Sequence, residues 1–123
     1  MKRGFTLLEL LIVVIIIGIL ATMALPNFFR GVERARWSEA KSVLGTLRAS
    51  QIRYKAQYDI YTSSFGNLDV NITPAKHFRF ELGTSNTSLA TAYRLSGDYG
   101  GQSVTIDEAG NLSYSSGVPD WLK

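Results

Sequence analysis

The feature that most constrains this chain is a nearly unbroken apolar run over residues 5–25 that carries one charge, Glu9, almost at its start. As a helix its 21 residues reach roughly 31 Å at about 1.5 Å per residue, enough to cross a hydrocarbon layer about 30 Å thick. A carboxylate in such a segment costs on the order of 2.5 kcal/mol or more, so it requires a partner, and an amine is the natural one. Lys2 and Arg3 precede the run and would keep the N-terminus on the cytoplasmic side of a membrane.

Three simpler readings compete. A plain single-pass anchor accounts for the basic leader and the apolar run but leaves Glu9 unexplained. A secretory signal would use residues 10–20 as its apolar core and Thr22-Met23-Ala24 as its cleavage site, releasing a product that begins at Leu25. A buried helix of a soluble protein fits poorly with 21 residues holding one charge.

The hexapeptide Gly4-Phe5-Thr6-Leu7-Leu8-Glu9 behind so short a leader closely resembles the processing site of type IV pilins and type II secretion pseudopilins. The resemblance implies that a membrane peptidase cuts after Gly4 and methylates the new terminus at Phe5. It also implies that Glu9, with Thr6 beside it, serves assembly, the carboxylate meeting the terminal amine of a neighbouring subunit. Two charges that are each costly in lipid lose much of that cost when they meet. The partners implied are further copies of this chain in a homopolymeric helical filament, the prepilin peptidase and methyltransferase, an inner-membrane assembly platform with its ATPase, and membrane lipid before assembly. The location implied is the inner membrane for a single-pass precursor with a cytoplasmic N-terminus, then an extracellular or periplasmic filament. The alternative within the family is a pseudopilin of a type II secretion system. From a different class, the alternative is a membrane-anchored binding protein that does not polymerise.

The rest of the chain is organised simply, and 123 residues allow one domain. The division expected is a leader over residues 1–4, a transmembrane and assembly segment over 5–26, and a head over 27–123. Within the head, an amphipathic helix over 27–58 is followed by a connecting loop over 59–75 and an antiparallel sheet over 76–123. The helix is read from Phe29, Val32, Arg36, Ala40, Val43, Leu47, Tyr54 and Tyr58, which step mostly by three or four. Pro26 removes an amide donor and Gly18 has low helix propensity, so both are expected weak points; the resemblance implies that the stretch between them unwinds in a filament. In residues 77–82 the alternation points Phe78, Phe80 and Leu82 inward and His77, Arg79 and Glu81 outward. Further strands are expected over 91–96, 103–107 and 111–115, with glycine turns between them. The fold class is therefore α+β: a long N-terminal helix, membrane-spanning in its first half and amphipathic in its second, packed against a small antiparallel sheet of three or four strands.

Composition excludes several functions. The formal charge of +3 falls to +1 once Lys2 and Arg3 are removed, so it gives no general argument for nucleic acid. With no cysteine and His77 as the one histidine, there is no thiolate nucleophile, sulfur-ligated zinc or multi-histidine centre. No catalytic constellation is found, an enzyme is not expected, and neither is a cofactor. Major pseudopilins carry a calcium site in C-terminal loops; the weak candidates here are Asp98, Asp107, Glu108 and Asn111, which match no ligand motif, so no metal is expected. Many Gram-negative pilins close the C-terminal loop with a disulfide, which this chain lacks. The helix carries Arg30, Arg34, Arg36, Lys41, Arg48, Arg53 and Lys55, a basic face that would attract DNA phosphates were it not interrupted by Glu33 and Glu39. Salt bridges between subunits are the expected use. The aromatics Phe5, Phe28, Phe29, Trp37, Tyr54, Tyr58 and Tyr61 are read as packing residues rather than an electron path. Asn71, Asn86 and Asn111 each begin an Asn-x-Ser/Thr triplet.

Overall fold

A computed structural model describes residues 4–123; the basic residues Met1-Lys2-Arg3 of the expected leader lie outside the described residues. Helix α1 (Leu7–Tyr58) is 52 residues long and runs through both Gly18 and Pro26 without a break. The chain divides into two units after Arg34.

Among the described residues, the first unit is helix from Leu7 onward. Its large apolar side chains up to Phe29 are bare, from 49% exposed at Ile12 to 86% at Leu7, and Phe28 and Phe29 are each 65% exposed. Among the described residues this is the one helix long and apolar enough to cross a membrane. Water does not support a contiguous apolar surface of that extent, so the segment calls for lipid or for neighbouring protein.

The second unit packs residues 35–58 of α1 against a four-stranded antiparallel sheet: β1 (Phe78–Ser85), β2 (Ser88–Arg94), β3 (Ser103–Ile106) and β4 (Leu112–Tyr114), in the order β1-β2-β3-β4. Trp37, Ala40, Leu44 and Leu47 form the buried helix stripe and meet Phe78, Ala90, Ala92, Val104 and Ile106 of the sheet. Trp37 stands edge-on to Phe78 with ring centroids 5.2 Å apart. The stripe advances by three, four and three, so it is the period expected, displaced by about one residue from the one read through Arg36 and Val43. Val118 and Leu122, from a C-terminal segment ending in a 3-10 turn (Asp120–Leu122), close the core.

The sheet matches the alternation on β1. Phe78 is buried, Phe80 and Leu82 are half-buried, and Arg79 and Glu81 face out as an ion pair at 3.1 Å. His77 differs from the solvated residue expected: it is half-buried, and its carbonyl accepts from Leu95 N at 3.0 Å and Arg94 Nη1 at 3.1 Å. Strand β2 begins three residues earlier than expected and is buried on both faces, as a central strand must be. The β1–β2 turn is the pair Asn86-Thr87, with Ser85 opposite Ser88. The register shifts just before it, and a Cβ on Gly83 would run into the Ser88 carbonyl, which is why glycine stands there.

Candidate functional site

The chemistry concentrates where α1 starts. Glu9 N donates to Thr6 Oγ1 at 3.1 Å, while Thr6 N and Thr6 Oγ1 donate to Glu9 Oε2 at 2.9 and 3.2 Å. Leu10 N donates to the Thr6 carbonyl at 3.2 Å. This is a capping box: Thr6 precedes the first helical turn, Glu9 reaches back to it, and each satisfies a backbone amide that the helix cannot. The box also places the carboxylate at the positive end of the helix dipole. The signature Thr-x-x-Glu was present in the sequence, yet the charge of Glu9 drew the reading toward an external amine and its local task was missed. The structure thus brings Thr6 and Glu9 together, with Phe5 next to them and 82% exposed.

The two weak points share a residue that sequence reasoning passed over. Thr22 Oγ1 donates to the Gly18 carbonyl at 2.8 Å, a bond that satisfies the hydroxyl locally and tends to bend a helix. Four residues on, Pro26 has no amide hydrogen, so the Thr22 carbonyl has no α-helical donor. Gly18, Thr22 and Pro26 therefore lie one turn apart along a stretch with one backbone bond fewer than its length allows.

In the second unit the basic helix face is spent within the chain rather than left free. Lys41 Nζ donates to the Leu122 carbonyl at 3.0 Å and Arg48 Nε to the Glu108 carbonyl at 2.8 Å. Lys55 Nζ reaches Tyr61 Oη at 3.2 Å and Glu108 Oε1 at 3.3 Å. Arg53 holds Asp69 through two bonds, 2.6 and 2.8 Å. Arg30, Arg34 and Arg36 have partners as well.

Asp69 ties the connecting loop to the helix. Its carboxylate accepts from Arg53 and from Ser50 Oγ, and these bonds, Arg53's first, hold its pKa far below the usual carboxylate range. A lowered folded-state pKa means that the stabilisation is present above the unfolded value of about 3.9 and is lost as pH falls through the folded one. Asp69→Asn is expected to flatten the acid limb of stability between about pH 4 and pH 2. Urea unfolding of the full chain in detergent, followed by circular dichroism, measures it; an acid limb as steep as wild type would refute the tie.

The calcium candidates do not converge. Asp107 accepts from Asn111 N at 2.7 Å and Asn111 Nδ2 at 3.0 Å, bonds that keep its pKa low. Glu108 is committed to Lys55 at 3.3 Å. Among the described residues no group of three or more acidic or histidine side chains is placed to hold a metal.

Residues 1–25 match the family model described as the prokaryotic N-terminal methylation motif. The chain is 45% identical over 79 residues to the type IV major pilin protein PilA of Myxococcus xanthus, covering 64% of this chain and 35% of that pilin. It is 35% identical over 72 residues to the type II secretion system core protein G of Pectobacterium carotovorum, covering 58% and 46%. Against the fimbrial protein EcpC of Eikenella corrodens the identity is 40% over 60 residues, covering 49% and 39%. The chain spans about a third to a half of the length of these relatives. No solved structure matches it at a significant level. The resemblance read from residues 4–9 is borne out: the chain carries the N-terminal methylation motif, and its homologues are a type IV pilin and type II secretion pseudopilins.

Proposed function

We propose that this chain is a structural, non-catalytic subunit of an extracytoplasmic filament of the type IV pilus kind. It is inserted as a single-pass precursor, cut after Gly4, methylated at Phe5, and assembled with copies of itself through its apolar helix. The observation that carries the proposal is the Thr6–Glu9 box at the head of a helix whose large apolar side chains are bare as far as Phe29, set inside a methylation motif. A bitopic anchor needs no acid there, whereas a subunit that must present a carboxylate to an incoming amine does. After processing, the new amine belongs to Phe5, so each subunit offers one cation and one anion four residues apart in the sequence where the helix begins. Contacts of that heterologous kind do not close and generate open fibres. The 45% identity to a major pilin supports a pilus, while the matches to secretion proteins keep a pseudopilus as the second reading.

Intact mass and N-terminal sequence of protein recovered from its own cells test the proposal. The expected result is a terminus at Phe5 carrying one extra methyl group. A terminus at Leu25 would mean a secreted soluble domain, and a retained Met1 would mean a simple anchor or an unprocessed precursor.

A further inference from the structure

We propose that Asn71 is the acceptor of an N-linked oligosaccharide, added to the head on the extracytoplasmic side; this rests on the exported-head reading above. Three Asn-x-Ser/Thr triplets occur, and the structure separates them. Transfer needs a carboxamide nitrogen that is accessible, a hydroxyl two residues on, and a backbone able to lie extended in the acceptor groove of an enzyme.

Asn111 does not offer these, because its Nδ2 donates to Asp107 Oδ2 and its backbone N to Asp107 Oδ1 within the β3–β4 turn. Asn86 does not either. It sits in the two-residue β1–β2 turn, its carbonyl accepts from Glu108 N at 2.8 Å, and its Oδ1 accepts from Lys55 Nζ at 3.5 Å. Asn71 differs from both in its backbone, which lies in no turn or strand. It and Thr73 are exposed in the irregular stretch over residues 70–75, and no hydrogen bond from its carboxamide is found among the described residues. In this stretch Val70, Ile72 and Ala75 pack against the core while Asn71 and Thr73 between them are exposed, so both groups that transfer requires are presented outward.

A second observation concerns what lies beside it. Asn71 borders an open apolar groove of about 700 Å³ lined by Phe65, Leu68, Val70, Ile72 and Phe78. At its edge Phe65 and Leu95 are 41% and 51% exposed. The carbon-bound hydrogens of a pyranose ring pack on such a surface, so a glycan rooted at Asn71 would cover apolar area that the polypeptide leaves bare.

The chemistry balances with a polyprenyl-phosphate-linked oligosaccharide as donor. Asn71 Nδ2 forms the bond to the anomeric carbon, the bond from that carbon to the phosphate oxygen breaks, and the lipid phosphate leaves with the electron pair. The amide proton passes to a base of the host transferase.

The test is the intact mass, N-terminal sequence and peptide map of full-length protein from its own cells, for wild type, Asn71→Gln, Thr73→Ala and Thr73→Ser. The expected wild-type mass exceeds that of the processed polypeptide by a whole number of sugar residues. The excess should vanish in Asn71→Gln and Thr73→Ala and persist in Thr73→Ser, and amidase release should convert Asn71 to aspartate. A bare wild-type polypeptide, or sugar that survives in Asn71→Gln, overturns the proposal. A terminus at Phe5 with bare Asn71 refutes the glycan and leaves the filament reading standing; a terminus at Leu25 with bare Asn71 refutes both.

Discussion

Replacing Glu9 by glutamine is expected to abolish filament assembly while leaving the helix start and membrane insertion intact. Glutamine serves in a capping box as well as glutamate does, so Glu9→Gln retains an acceptor for Thr6 and removes only the charge. If Glu9 did no more than cap, the variant would assemble normally. If it receives a neighbour's amine, each contact keeps an unpaired buried cation, at about 3–5 kcal/mol. That corresponds to a hundredfold or greater loss in the assembly equilibrium, since about 1.4 kcal/mol is a factor of ten. Thr6→Ala is the complementary change. It removes the cap, at about 1 kcal/mol, leaves the carboxylate in place, and should weaken assembly far less. Filament recovered by shearing, scored against subunit in the membrane fraction, distinguishes the two; wild-type filament yield from Glu9→Gln would reduce Glu9 to a helix cap.

Gln51→Leu is expected to be among the most destabilising single changes in the head. Gln51 is 0% exposed. Its Nε2 donates to the carbonyls of Thr62 at 2.8 Å, Gly83 at 2.9 Å and Leu89 at 3.3 Å, and its Oε1 accepts from Thr62 N at 3.0 Å. One side chain thus satisfies backbone groups of the connecting loop, β1 and β2 from the helix. Leucine is similar in size but leaves those groups buried without partners, at about 1–3 kcal/mol each. A net loss of about 3 kcal/mol would lower the melting temperature by roughly 12–24 °C for a domain this small. Thermal unfolding of the full chain in detergent, followed by near-ultraviolet circular dichroism, measures it; a melting temperature within a few degrees of wild type would remove Gln51 from this role. Gln51→Glu should fare no better, because a carboxylate in that place would face three carbonyl oxygens.

The parts of this fold legible in advance are those written in a repeating pattern. The apolar run over residues 5–25, the alternation through Phe78, Phe80 and Leu82, and the glycine turn at Gly110 each carry their own period or backbone constraint. What escaped has no period. Gln51 reads as a surface residue until three carbonyls converge on it, and Ser88-Leu89-Ala90 reads as the end of a turn until β1 and β3 flank it. Val118 and Leu122 belong to no strand and are buried only because the core has an open end there. Cations such as Arg48 and Lys55 look solvent-facing on a helix, yet their partners lie some 50 to 60 positions further on. At the start of α1 the residues Thr6 and Glu9 are legible in the sequence, while their capping bonds depend on where the helix begins.

The way the C-terminal segment is held has a consequence for maturation. Leu122 is buried in the core, its carbonyl is bound by Lys41, and Trp121 stands edge-on to Tyr99 at 5.9 Å. The segment is therefore held by packing and by a charge-assisted hydrogen bond from Lys41, with no cysteine in the chain to form a disulfide. Folding of such a head waits on no disulfide oxidase or disulfide isomerase, and thiol reductants are expected to leave its melting temperature unchanged.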